Sequence, residues 1–270
     1  MGIDLYVVHG SHPCAAVERA LELKGLAYRR VELPPPLHAP IQKLRFGTRT
    51  VPGMRLPDGE KVVGSSAILR RLDDLAPEPP LFPPDGEARA LVQRAEEWGE
   101  EVYQPIARRL LWAALRRAPD ALPSYAHGSR LPLPAAAIRA MAPAVTRVEA
   151  TMNRAVEGAV RADLRALPRH LDRIDGWLDR GVIGTSPPNA ADLQIAAGVT
   201  GTSPPNAADL QIAATSRLLL TVGDVAPFLA GRPVEAHAHT VFPAPQPGST
   251  PRGVFPPDWL AGSPPRRRGA

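Results

Sequence analysis

The sequence predicts an α/β domain followed by an all-α domain. Three observations predict it. The first eighty residues alternate strand-like and helix-like segments, a proline cluster at Pro77, Pro79, Pro80, Pro83 and Pro84 interrupts them, and beyond Asp85 apolar residues recur at helical spacing only. At 270 residues the chain is long enough for both domains to bury a core without disulfide or metal.

The apolar, β-branched run Ile3 to His9 reads as a buried strand that Gly10 ends. Cys14, Val17, Leu21 and Leu23 then recur at near-helical spacing, with Pro13 suited to a first turn and Gly25 to a stop. Tyr28 to Leu33 reads as a second strand that Pro34, Pro35 and Pro36 cannot continue, and Ile41 to Leu44 as a short helix. Val51-Pro52 precedes a hairpin formed by Met54 to Leu56, the turn Pro57-Asp58-Gly59 and Lys61 to Val63. Ser65 is the expected N-cap of a helix to Leu75. The order β-α-β-α-β-β-α is that of a thioredoxin-like domain, set to residues 1–78.

Residues 85–241 are assigned to an all-α helical bundle. Leu91, Trp98, Val102, Ile106 and Leu110 make one apolar stripe with a bend expected at Pro105, and further helices are expected over Ala135 to Val156 and Ala159 to Arg180, the latter interrupted near Pro168. Residues 242–270, rich in Pro, Gly and Arg, are read as an irregular tail that Phe255, Trp259 and Leu260 pin to the body.

Residues 181–197 recur as 198–214 with one change, Ile183 against Thr200. This tandem duplication supplies the helix start Asn-Ala-Ala-Asp twice, at Asn189 to Asp192 and at Asn206 to Asp209, and each carries a polar N-cap with an acidic residue three positions on. Two copies are too few for a solenoid, so one is an insertion. The first helix meets Gly198 and Gly201 soon after Ala197, whereas the second runs on to Val222; Asn206 to Val222 is therefore the expected core helix, with 184–200 displaced to the surface.

Charge excludes little. The net +5 comes from 32 basic against 27 acidic residues mixed along the chain, and only Arg266, Arg267 and Arg268 form a tight basic run, so neither nucleic acid nor membrane is an expected partner. No apolar run reaches the length of a membrane span, the N-terminus lacks the pattern of a secretory signal, and the lone Cys14 has no bridging partner; a cytoplasmic location is expected. His127, His170, His237 and His239 show no ligand spacing, and no metal is expected.

Gly10-Ser11-His12-Pro13-Cys14 joins a strand to a helix N-terminus, where backbone N–H groups and the dipole favour a negative charge. A thiolate bound there would accept a hydrogen bond from Ser11, and lowering a thiol pKa by two units takes about 2.7 kcal/mol. The plainer reading is that Ser11 caps the helix. Cys14 is either a small buried hydrophobe or a reactive thiol, and His9 and His12 are read as structural or exposed. Glu96-Glu97 and Glu100-Glu101 are read as a solvated or dimer-facing surface, while Trp98, Tyr103 and Trp112 divide between core packing and the border of an apolar pocket.

These motifs together resemble the glutathione transferase family over residues 3–241. Ser11-His12-Pro13-Cys14 with Val17 to Leu21 and Lys24-Gly25-Leu26 is similar to the family's opening strand, active-site turn and first helix. Thr50-Val51-Pro52 resembles its cis-proline turn, Ser65-Ser66-Ala67-Ile68-Leu69 the start of its third helix, and Asn206 to Asp209 the capping box of its late core helix. The resemblance implies glutathione as co-substrate, with Ser11 stabilising its thiolate, Val51 and Pro52 presenting backbone to its cysteinyl part, Ser65 and Ser66 at its γ-glutamyl carboxylate, a small apolar electrophile as second substrate, and a homodimer. The chain departs from the pattern at Gly64, where the family carries an acidic residue for the γ-glutamyl ammonium; a partner chain or another loop has to supply that charge. Two rival functions stay open: a non-catalytic binding module of this fold, and a glutathione-dependent thiol reductase or peroxidase acting through Cys14.

Overall fold

The computed structural model describes residues 2–35, 37–184 and 204–260. Strands β1 (Ile3–Val7), β2 (Tyr28–Glu32), β3 (Gly53–Arg55) and β4 (Lys61–Val63) form one sheet in the order β2-β1-β3-β4, with β1 parallel to β2 and antiparallel to β3. Helices α1 (His12–Leu23), α2 (His38–Phe46) and α3 (Ser65–Leu75) complete the first domain in the predicted order. Alternation along β1 divides its side chains. Leu5 and Val7 join the core with Val17, Leu21, Ile68 and Leu72, whereas Tyr6 meets Phe46 of α2 edge-on at 5.1 Å. The buried ammonium of Lys24 donates to Asp73 at 3.0 Å and to the Pro79 carbonyl at 2.9 Å, tying the end of α1 to α3 and the proline linker.

From Gly86 onward the described residues are helical apart from turns and the tail. In order these are α4 (Gly86–Trp98), a π-helical turn (Gly99–Tyr103), α5 (Gln104–Arg117), a 3-10 turn (Pro119–Ala121), α6 (Leu122–Tyr125), α7 (Ala135–Met152), α8 (Glu157–Asp179), α9 (Ala207–Leu220), α10 (Ala226–Leu229) and α11 (Pro233–Val241). The break in the long apolar stripe is that π-helical turn, one turn before Pro105, which sits in the first turn of α5. The interruption expected at Pro168 is absent: α8 is continuous through it. An interior proline costs about 3 kcal/mol, and burial of Val160, Leu164, Leu167, Leu171 and Ile174 on one face returns about 1.5–3 kcal/mol each, so packing prevails.

Helix α9 is the axis of the molecule. Every residue from Ala207 to Leu219 is buried, and it packs against α1 and α3 of the first domain as well as α4, α5 and α11. Its capping box is complete: Asp209 N donates to Asn206 Oδ1 at 3.0 Å and Asn206 N to Asp209 Oδ2 at 2.8 Å. The second copy of the duplicated motif thus forms the core helix. The first copy's helix start, Asn189 to Asp192, lies outside the described residues, as does Arg266 to Arg268. Residues 182–184, from the first copy, nevertheless join the second: Asn206 Nδ2 donates to the Val182 carbonyl at 3.0 Å and Gly184 N to Asp209 Oδ1 at 2.6 Å. In the tail, Phe255 and Trp259 are buried, with Trp259 in a 3-10 turn (Pro257–Leu260).

One cap differs from expectation. Gly64, not Ser65, is the N-cap of α3; at φ +88 and ψ 146 it holds a conformation essentially reserved for glycine, and Ser65 becomes the first helical residue.

Candidate functional site

Between β1 and α1 the chain turns through Gly10, whose φ of +76 suits glycine, and reaches Ser11 at the N-cap of α1. The Ser11 backbone carbonyl accepts from Ala15 N at 3.0 Å, but its side chain makes no capping bond. Ser11 instead lines a cavity of about 770 Å³ between the two domains. The first domain contributes Ser11, His12, Pro13 and Val51 to the wall; the helical domain contributes Arg108, Trp112, Leu115, Val145 and Met152. Apolar surface with a few polar groups is the usual make-up of a small-molecule site.

Cys14 requires a correction as a catalytic candidate. It is fully buried in the first-domain core and does not line the cavity, and burial pushes its thiol up to about 12, outweighing the opposing hydrogen bonds of Ser11 and the Val8 backbone. A thiol held protonated is neither nucleophile nor resolving group.

The Val51-Pro52 peptide is cis, as the resemblance implied, and Val51 faces the cavity. Among the described residues its backbone N–H and C=O make no backbone hydrogen bond, so an extended peptide can pair with both.

Ser65 and Ser66 also need correcting. Their hydroxyls do not face the cavity; both residues are buried at the joint between domains. Ser65 Oγ donates to Gln211 Oε1 at 3.1 Å, and Ser66 Oγ bonds the carboxylates of Glu96 and Glu100. What α3 still offers is backbone: its first intrahelical bond runs from Ile68 N to the Gly64 carbonyl, so the N–H groups of residues 65 to 67 lie beyond the ladder.

The acidic run is not a solvated surface throughout. Glu97 and Glu101 are exposed, but Glu96 is completely buried and bonds Gln211 Nε2 at 3.0 Å and Arg70 at 2.9 Å. Burial raises its carboxyl. The signal missed in the sequence is long-range, since the partners of Glu96 come from α3 and α9. Glu100 Oε1 lies 3.8 Å from the point where a side chain on Gly64 would begin. A carboxylate from the helical domain thus stands beside the position where the resembled pattern has its acid.

The aromatic residues divide as expected. Trp98 stacks on Tyr103 at 5.5 Å, the buried Tyr103 hydroxyl meets Ser216 Oγ at 3.1 Å, and only Trp112 of the three lines the cavity. His9 bonds the His127 carbonyl at 2.9 Å, and His12 is buried and neutral, its pKa lowered by burial and by the nearby Arg108. His38 and Glu149, which sequence reasoning did not single out, stand next to each other in the cavity wall, 3.9 Å apart, and burial pushes Glu149 up to about 7. Among the described residues no cluster of His, Cys, Asp and Glu suits a metal ion, and no helix is long and apolar enough to cross a membrane.

Residues 5–80 match the family model of the glutathione S-transferase N-terminal domain. The chain also superposes on solved structures at low identity. A glutathione S-transferase from Rhodospirillum rubrum gives a TM-score of 0.59 at 19% identity, covering 93% of this chain and 97% of that one. A glutathione transferase from Populus trichocarpa gives 0.56 at 15%, covering 90% and 95%. A beta-etherase from Sphingobium gives 0.55 at 17%, covering 97% and 100%. No curated protein sequence matches the chain.

Proposed function

We propose that the chain binds glutathione on the first domain and transfers its sulfur to a small apolar electrophile held against the helical domain; the match of residues 5–80 to the glutathione S-transferase N-terminal domain model and the fold likeness over nearly the whole chain support this reading. The observation that carries this reading is Ser11: a hydroxyl at a helix N-terminus, unused as a cap, on the wall of the interdomain cavity. A thiolate placed there accepts the Ser11 O–H and lies at the positive end of α1, so its ionised form is favoured and the attacking sulfur is held next to the second substrate.

The tripeptide would pair with the Val51 backbone and set its γ-glutamyl carboxylate on the N–H groups that begin α3. Glu100 supplies the charge that Gly64 lacks, reaching the γ-glutamyl ammonium from the helical domain. On the same resemblance we take the molecule to be a cytosolic homodimer, which sedimentation addresses for the oligomer.

A second reading, a binding module without turnover, is favoured by the Ser65 and Ser66 hydroxyls being engaged between domains. Calorimetry with reduced glutathione separates the two, since absence of heat at millimolar ligand favours the module. For the chemistry, Ser11→Ala is expected to lower kcat/KM with a standard electrophile about 10- to 100-fold, the loss of one charge-assisted hydrogen bond, with glutathione affinity within a few-fold of wild type. Conjugation by Ser11→Ala at the wild-type rate would remove Ser11 from the mechanism.

A further inference from the structure

We propose that the interdomain cavity selects a second substrate with two parts, an anionic group that docks on the Arg108 guanidinium and an apolar body that lies along Trp112 and Leu115. The chemistry of that substrate rests on the transferase reading, but the binding preference does not.

Arg108 projects from α5 into the cavity wall. Among the described residues its guanidinium has no hydrogen bond, no ion pair and no aromatic ring beneath it, and the other partly buried arginines differ. Arg109, its neighbour, is held bidentately by Asp163 at 2.6 and 2.9 Å; Arg30 pairs with Glu18 and Arg232 with Asp175. Arg217 bonds the Ala244 carbonyl and stacks on Phe242. A guanidinium stays charged and presents five donors, and taking it out of water without an acceptor is costly. Burial and Arg109 both act against its charge, which an anion in the cavity would relieve. No carboxylate of the wall competes fully. Glu32 is engaged by Arg30, Ser129 and the Arg130 N–H, and Glu149, pushed up to about 7, is close to half-protonated at neutral pH.

The test uses the full chain with N-phenyl-1-naphthylamine as a neutral fluorescent occupant, displaced by naphthalene-1-sulfonate or by the uncharged, nearly isosteric naphthalene-1-sulfonamide. In the wild type the sulfonate is expected to displace the probe at a concentration at least tenfold lower than the sulfonamide, the scale of one charge-assisted contact. In Arg108→Gln this preference is expected to vanish while the probe still binds. Equal displacement by the two ligands in the wild type, or a preference that survives in Arg108→Gln, overturns the proposal; the wild-type comparison stands even where the variant fails to fold. Calorimetry with glutathione on the same samples keeps the two readings apart. A sulfonate preference in a protein that binds no glutathione leaves this inference standing and removes the transferase.

Discussion

Glu149 lies in the cavity wall with its Oε1 atom buried and without a partner, 3.9 Å from Nδ1 of His38. Burial pushes its carboxyl from 4.5 up to about 7. A carboxyl whose folded pKa is raised contributes stability that is fully present below the unfolded value and is lost as pH rises through the folded one. Between pH 4 and pH 8 the ionising group therefore costs the fold about 3 kcal/mol. Glu149→Gln keeps the shape and removes the titration. Its Tm is expected to fall less between pH 5 and 8 than that of the wild type, and to exceed the wild-type Tm at pH 8; parallel curves would show that the side chain is solvated in solution. Asp209, also raised to about 7, titrates with the same sign in both proteins and keeps the variant curve from becoming flat. At this scale the sequence disclosed what neighbours determine. Ser11 and the glycine before it were legible because a strand, a turn and a helix start lie within five residues. Glu96 and Ser65 were not, because burial of the first and the hydrogen bond of the second depend on Gln211, more than a hundred residues away.

Helix starts were legible to within a residue, since a cap is a local pattern, although the cap of α3 falls on Gly64 and not on Ser65, and helix breaks were not. Pro168 carries a penalty that the sequence shows and a buried face that only the assembled bundle shows. The pattern Asn206-Ala207-Ala208-Asp209 announced its capping box directly, but not that Asp209 also accepts the Gly184 N–H, or that His237 Nε2 approaches it at 3.2 Å. That second duty raises the value of the side chain. Asp209→Ala leaves two partly buried backbone donors, Gly184 N and Asn206 N, without acceptors at the head of the helix that joins both domains. Each donor is only partly buried and so falls in the lower part of the range of about 1–3 kcal/mol for an unsatisfied group; a loss of about 2–4 kcal/mol is expected, read as a lower urea midpoint at unchanged m-value. A loss below half a kilocalorie would mean that water or His237 replaces the carboxylate, and α9 would then not depend on its box.

For the molecule as a whole, the duplication sets two identical helix starts in competition, and the residues downstream of each start decide between them. Aligned on the second copy, Ser216, Leu218 and Leu219 become Val199, Gly201 and Thr202 in the first. The second copy therefore keeps the Ser216 bond to Tyr103 and two buried leucines that the first cannot provide. The described structure draws on both copies, taking Val182 to Gly184 from one and Asn206 onward from the other. Gly184 N and Asn206 N donate to the same carboxylate, so these two points lie within a few ångströms, a distance that Thr202 to Pro205 alone can span. Deleting residues 185–201 leaves Gly184 joined to Thr-Ser-Pro-Pro-Asn, the same run that it precedes in the intact chain. None of the described contacts is lost, and shortening the sequence between two fixed points lowers the entropy of closing it by about 0.6 kcal/mol per halving. The deletion variant is therefore expected to fold with the same far-ultraviolet spectrum and a Tm no lower than that of the full chain. A fall of several degrees would instead make the extra copy part of what holds the helical domain together.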